Sequence, residues 1–126
     1  MQNYNSKFKV DIKKRAYLYA LEIIKFIDRL PKNDLSVHVI ANQLMRSATS
    51  IGANIIEAQA SSSKKEFTNF LNHSLKSANE SKFWLGLLRD SGKAKRESVN
   101  SLLSETKELA NILASSILTL KGKRKT

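Results

Sequence analysis

Gln43, Arg46, Ser47, Ser50, Asn54 and Glu57 recur at spacings of three and four, so a helix arrays them along one face. A guanidinium, two amides, a carboxylate and two hydroxyls in one row can serve either of two ends. They can satisfy a second polar row across a helical hairpin, or they can line a groove in which Arg46 reads an anion. The structural use comes first, because such a second row exists downstream. Folding the chain back about Ser61-Ser62 puts Arg46 near Ser77, Gln43 near Glu80, Ser50 near His73 and Ser74, and Asn54 near Asn69. Arg46 and Glu80 then stand within about a turn of each other, where a charged pair would fix register more than it stabilises.

Other chemistry is sparse. His38 and His73 are far apart, with no Glu-x-x-His spacing, so a bundle-core metal site is not expected. Both are expected at the surface or in an interface. Gly52, Gly86, Gly92 and Gly122 are isolated and form no phosphate loop. Serines are plentiful, but no serine, base and orienting carboxylate assemble into a catalytic set. Cysteine is absent, which removes disulfides, thiolate metal sites and thiol nucleophiles. The expectation is a binding protein without cofactor or metal, not an enzyme.

Charge is the strongest signal for a partner. Lysine and arginine number 22 against 11 acidic residues, a net +11 with a pI near 10.0. Lys7, Lys9, Lys13, Lys14 and Arg15 crowd the start of the chain against Asp11 alone, and Lys121, Lys123, Arg124 and Lys125 crowd its end. Such an excess attracts polyanions and says nothing about fold. Basic residues closing a final helix suit its macrodipole, whereas those opening the first helix oppose it. Helix stability therefore does not explain the N-terminal cluster.

The elements that position these residues are helical throughout. Ile12, Ala16, Tyr19, Ile23, Phe26, Ile27 and Leu30 form one apolar stripe, which predicts a helix over about 11–30, ended by Pro31. Val37, Ile40, Leu44, Ala48, Ile51, Ile55 and Ala58 predict a second over about 36–60, with Ser36 as N-cap. Ser63 and Glu66 make a capping box for a third over about 63–91, carrying Phe67, Phe70, Leu71, Leu75, Ala78, Leu85 and Leu88. Val99, Leu102, Leu103, Leu109, Ile112, Leu113, Ile117 and Leu120 predict a fourth over about 98–120, followed by a basic tail 121–126.

Short turns between helices of roughly 30–40 Å force antiparallel neighbours. The expected fold is all-α: one domain over 1–126, an antiparallel up-down-up-down four-helix bundle. In that topology the start of helix 1, the end of helix 4 and the helix 2–3 turn with Lys64 and Lys65 share one end, a basic pole. A second stripe on helix 1 (Tyr17, Leu21, Ile24), with Phe83, Trp84 and Leu87, exceeds the needs of one core. Either these side chains widen the buried face or they form a subunit interface. The longest purely apolar run, Ala16–Leu21, is too short to span a membrane, and Met1–Arg15 has no signal-like apolar core. A cytoplasmic protein is expected.

The stretch Gln43-Leu44-Met45-Arg46-Ser47-Ala48-Thr49-Ser50-Ile51-Gly52-Ala53-Asn54-Ile55-Ile56-Glu57-Ala58 resembles the signature of the four-helix-bundle family of 23S rRNA intervening-sequence proteins. Glu66-Phe67, Phe70-Leu71, Ser77 and Glu80 match its second element. Ala58 departs from an expected glycine, which lets helix 2 run on, and Ser74 replaces a small apolar residue and adds a hydroxyl to satisfy. The resemblance implies a compact bundle in a homo-oligomer, typically a pentameric ring, without established enzymatic activity. Related bundles include the accessory variability determinant of diversity-generating retroelements, a basic pentamer that partners a reverse transcriptase and its template RNA.

Two functions follow as expectations. One is an oligomeric scaffold that binds RNA or DNA through phosphates, with the lysines and arginines of both chain ends and Lys64 and Lys65 as contacts, alone or beside a reverse transcriptase. The other is a protein–protein interaction module that makes no direct contact with nucleic acid.

Overall fold

The computed structural model describes the backbone of residues 2–122 and the side chains of residues 12–122. Its elements are α1 (Gln2–Asp28), α2 (Leu35–Ala60), α3 (Lys64–Asp90) and α4 (Arg96–Leu120). Each helix packs on its sequence neighbours and α1 closes on α4. Four helices in a closed square, without strands among the described residues, confirm the all-α architecture.

The boundaries differ from expectation in informative ways. Helix α1 begins at Gln2, not near Asp11. No proline or glycine interrupts residues 2–30, so nothing in the backbone halts a helix that polar composition had seemed to shorten. It closes with tightened turns, Arg29 N–H to Phe26 O and Leu30 N–H to Ile27 O, before Pro31 bars the helical conformation at Leu30.

The cap of α2 is Asp34 rather than Ser36. Its Oδ1 accepts the Val37 N–H at 3.1 Å and the Ser36 hydroxyl at 2.9 Å, so Ser36 supports the cap from within the first turn. Ser63 caps α3 as expected, accepting Glu66 N–H at 3.1 Å. Glu66 reaches back to Ser62 N–H at 3.1 Å, one residue earlier than a reciprocal box requires. Helix α2 continues through Ala60, past the alanine that replaces glycine at position 58.

Helix α3 ends in a Schellman motif. Gly92 stands at φ +75°, Gly92 N–H bonds Arg89 O and Lys93 N–H bonds Leu88 O. Helix α4 then starts at Arg96, with no side-chain cap from Lys95.

The anticipated stripes form one core. Ile12, Ala16, Ile23, Leu44, Ile51, Ile55, Leu71, Leu85, Leu88, Val99, Leu109 and Leu113 are fully buried. The core also has a polar layer. Tyr19 (α1), Ser47 (α2), Ser81 (α3) and Thr106 (α4) are all buried, one from each helix. Tyr19 Oη lies 2.6 Å from Thr106 Oγ1, and Ser47 Oγ lies 2.8 Å from Ser81 Oγ. Thr106 gives its hydroxyl proton to Leu102 O at 2.7 Å, so Tyr19 donates to Thr106. Ser81 likewise donates to Ser77 O at 2.9 Å, so Ser47 donates to Ser81. No buried side-chain polar atom among the described residues lacks a partner.

The end that carries the α1–α2 and α3–α4 turns is clasped. Lys93 Nζ donates to Asp34 Oδ2 at 2.7 Å. The Lys93 ammonium, the Val37 N–H and the Ser36 hydroxyl together hold the Asp34 carboxyl down at about 2, against 3.8 ordinarily. A depressed carboxylate stabilises the fold above its unfolded pKa and loses that contribution as pH falls through the folded value. Asp34→Asn keeps a capping side chain but lacks the charge. Acid unfolding curves of wild type and Asp34→Asn should therefore differ at neutral pH and converge between pH 4 and 2; parallel curves would contradict this.

Candidate nucleic-acid interface

The basic residues named from the sequence separate into distinct places. Lys64 and Lys65 are exposed in the first turn of α3, and Lys121 is exposed at the C-cap of α4. Both helix ends lie at the same end of the bundle, so these three cations share a pole. Lys64 and Lys65 oppose the α3 dipole, offset only by Glu66 in that first turn. Lys121 complements the α4 dipole. The side chains of Lys7 and Lys9, and Lys123, Arg124 and Lys125, lie outside the described residues.

Lys13 and Lys14 are exposed but do not join the pole. Ala16 meets α2 at Gly52, where an added Cβ would sit 3.4 Å from the Ala16 Cβ. The α2–α3 turn begins nine residues beyond Gly52, roughly 13 Å further along the axis. With α1 extending back to Gln2, Lys13 and Lys14 stand on the flank of the bundle instead of at its end. Arg15 is a further correction. Its Nε and Nη2 bind Glu105 Oε2 and Oε1 at 3.0 and 2.7 Å, a bidentate tie from α1 to α4. That fork is committed to a carboxylate within the chain.

The polar ladder of α2 also divides. Ser50 Oγ accepts from Ser77 Oγ at 3.0 Å and from Asn54 Nδ2 at 2.9 Å, while Ser47 pairs with Ser81. Ser74, the extra hydroxyl, donates to Ile51 O at 2.8 Å. The expected register is thus shifted. Ser77 lies against Ser50 and not Arg46, about a helical turn from its expected place. The hydroxyl contacts Ser47–Ser81 and Ser50–Ser77, rather than symmetric folding about Ser61-Ser62, mark the offset of α3 on α2. Arg46 and Glu57 point outward and are exposed, and Gln43 is half-buried. Arg46 and Glu80 form no ion pair; Glu80 Oε2 instead accepts from Trp84 Nε1 at 2.9 Å. Ser47 and Ser50 therefore tie α2 to α3, Asn54 supports Ser50 from within α2, and Arg46 and Glu57 stand apart on the exposed side.

His38 and His73 are exposed and unrelated, His73 lying edge-on to Phe70 with ring centres 6.4 Å apart. Among the described residues no group of His, Asp and Glu gathers as a metal site, and no helix is long and apolar enough to cross a membrane.

A second surface is apolar. Tyr17 is 67% exposed, and Leu21 and Ile24 continue its row on α1, while Leu18 is exposed on the side toward α4. With Ile56 of α2, Tyr17 walls a groove of about 530 Å³, floored by Ala20, Gly52 and Ala53 and rimmed by Lys13 and Lys14. Phe83 is 58% exposed on α3 beside Leu87, whereas Trp84 packs partly against the core. The second stripe of α1 does not widen the core. It faces outward.

Two comparisons bear on identity. A crystal structure of a protein of unknown function from the S23 ribosomal protein family of Bacteroides thetaiotaomicron VPI-5482 superposes with a TM-score of 0.81. It is 35% identical, over 87% of this chain and 97% of that one. No curated protein matches the sequence. A family profile described as 23S rRNA-intervening sequence protein covers residues 9–115, from within α1 to the last turns of α4. On that match and the shared four-helix fold, the chain belongs to the family of 23S rRNA-intervening sequence proteins.

Proposed function

We propose that this chain is a non-enzymatic scaffold that assembles into a ring of identical copies and binds RNA through its phosphates. The observation that carries this reading is the cluster of Lys64, Lys65 and Lys121 at one end of the bundle, two of them against the local helix dipole. A net charge of +11 adds long-range attraction to any polyanion. A ring would repeat the pole around a rim and multiply weak phosphate contacts. Such binding is backbone-led, tolerant of sequence and steeply salt-dependent. RNA held together with a reverse transcriptase, the partner of the related retroelement accessory bundles, is one partner that this chemistry would accept.

The test is RNA affinity measured across a salt series. Reversing Lys64, Lys65 and Lys121 to glutamate should weaken binding at low salt by at least about tenfold and flatten the log–log salt slope by roughly two to three. The melting transition should hold, since all three side chains are exposed. No binding at low salt, or binding indifferent to salt, would sink the proposal.

A second reading, a protein-interaction module, draws on the outward apolar row of α1. A polypeptide partner retained at full strength after nuclease treatment would favour it.

A further inference from the structure

The two exposed apolar patches are unlike in shape. The α1–α2 face is concave, because Ala16 and Gly52 let the helices approach closely and leave a floor of small residues between Tyr17 and Ile56. The α3 face presents Phe83, 58% exposed, beside Leu87. Phe83 projects there edge-on to Trp84, with ring centres 4.9 Å apart and planes at 70°. Trp84 is in turn fixed by Glu80 at 2.9 Å. Trp84 thus backs Phe83 from within the chain, a contact that lowers the entropic cost of docking the knob.

Gly86 adds an independent sign. It lies one turn beyond Phe83 on the same helix, and a Cβ there would meet nothing within 4 Å. Glycine inside a helix costs stability relative to alanine, and here no contact within the chain needs its small size. Backbone left bare beside an exposed aromatic suits close approach by another chain. Charge agrees: Lys13 and Lys14 rim the groove, and the Glu80 carboxylate stands one turn before the knob.

The geometry points to a head-to-tail contact between copies, in which the Phe83–Leu87 knob of one protomer enters the α1–α2 groove of the next and brings Glu80 toward Lys13 and Lys14. Helices α1 and α3 are diagonal in the bundle and meet through Tyr19 and Ser81 in the core, so groove and knob lie on different sides of one protomer. Each copy then gives one face and receives another, a heterologous contact that propagates from copy to copy and makes a ring where its rotation closes. A standard interface takes about 800 Å² from each partner, and the chain exposes 7856 Å². Two such contacts per copy fit easily. The inference rests on the oligomeric reading above and specifies its interface.

Mixing variants tests it. Wild type should assemble by native mass spectrometry and light scattering. Tyr17→Glu, which spoils the groove, and Phe83→Glu, which spoils the knob, should each remain monomeric and folded, both sites being exposed. Mixed in equal amounts, the two variants retain one intact groove and one intact knob between them. They should form a one-to-one dimer and grow no further. A mixture that stays monomeric, or a Phe83→Glu protein that assembles like wild type, overturns the pairing while leaving oligomerisation intact. A wild type monomeric at high concentration removes the oligomeric reading itself. Gly86→Gln supplies a separate check: its melting midpoint should hold or rise while association weakens at least tenfold, and unchanged association would count against the close approach.

Discussion

Leu44→Ala should remove about 2–5 kcal/mol of stability, whereas Leu21→Ala should leave stability almost unchanged. Both are leucines in apolar rows at helical spacing. Leu44 is fully buried in the core of α2, and its truncation leaves a cavity among side chains from several helices. Leu21 is 38% exposed on the outer row of α1, so truncation removes surface that water already reaches. Domains of this size carry roughly 5–15 kcal/mol in total, so Leu44→Ala takes a large fraction. Urea unfolding followed by helical circular dichroism separates the cases. A Leu21→Ala loss as large as that of Leu44→Ala would mean that the outer row is core in solution.

The second large effect lies in the hydroxyl layer. Burial pushes the Tyr19 hydroxyl up to about 12 from its usual 10.0, against lowering by hydrogen bonds from Thr106 and Ser81. A raised pKa in the folded state contributes stability below the unfolded value of about 10, and that contribution is lost as pH rises through 12. The difference corresponds to something on the order of 3 kcal/mol across that window. Wild type should therefore weaken steeply between pH 10 and 12, and Tyr19→Phe should show a flatter alkaline limb.

Substitution at neutral pH should be asymmetric. Tyr19→Phe removes a donor and leaves Thr106 bonded to Leu102 O, a cost of about 1 kcal/mol. Thr106→Val removes the acceptor and leaves the buried Tyr19 O–H only Ser81 as a partner, a cost of about 1–3 kcal/mol. The double variant should cost less than the sum of the two. Strict additivity would show that the two hydroxyls do not interact.

The legible part of this protein was its periodicity. Ile12 through Leu30 and Val37 through Ala58 announce their helices, because burial on one face forces spacings of three and four. Caps were harder: Asp34 and Ser36 are both capping types, and only the phase that buries Val37 decides between them. Ser81 and Thr106 went unread because each fills a gap in its apolar stripe, Ser81 between Ala78 and Leu85 and Thr106 between Leu103 and Leu109. Polar gaps on two helices, facing Tyr19 and Ser47 on the others, were the available signal.

The surfaces were legible as surplus rather than as place. Phe83 and Trp84 are adjacent in sequence, yet about 100° of helical rotation sends one outward and tucks the other against the core. Arg15 counted as one more cation among neighbours, because its partner Glu105 lies ninety residues away.

The hydroxyl layer has one more consequence. Four apolar seams can close into a square that turns left or right, and leucine and isoleucine distinguish poorly between such mirror arrangements. In the opposite hand, the flank of α1 that carries Arg15 and Tyr19 would face α2, away from Glu105 and Thr106. Buried hydroxyls would then lose their partners at the centre of the protein. The layer thus acts as an address that selects one chirality for the bundle, and with it the side of α1 that is left to face outward.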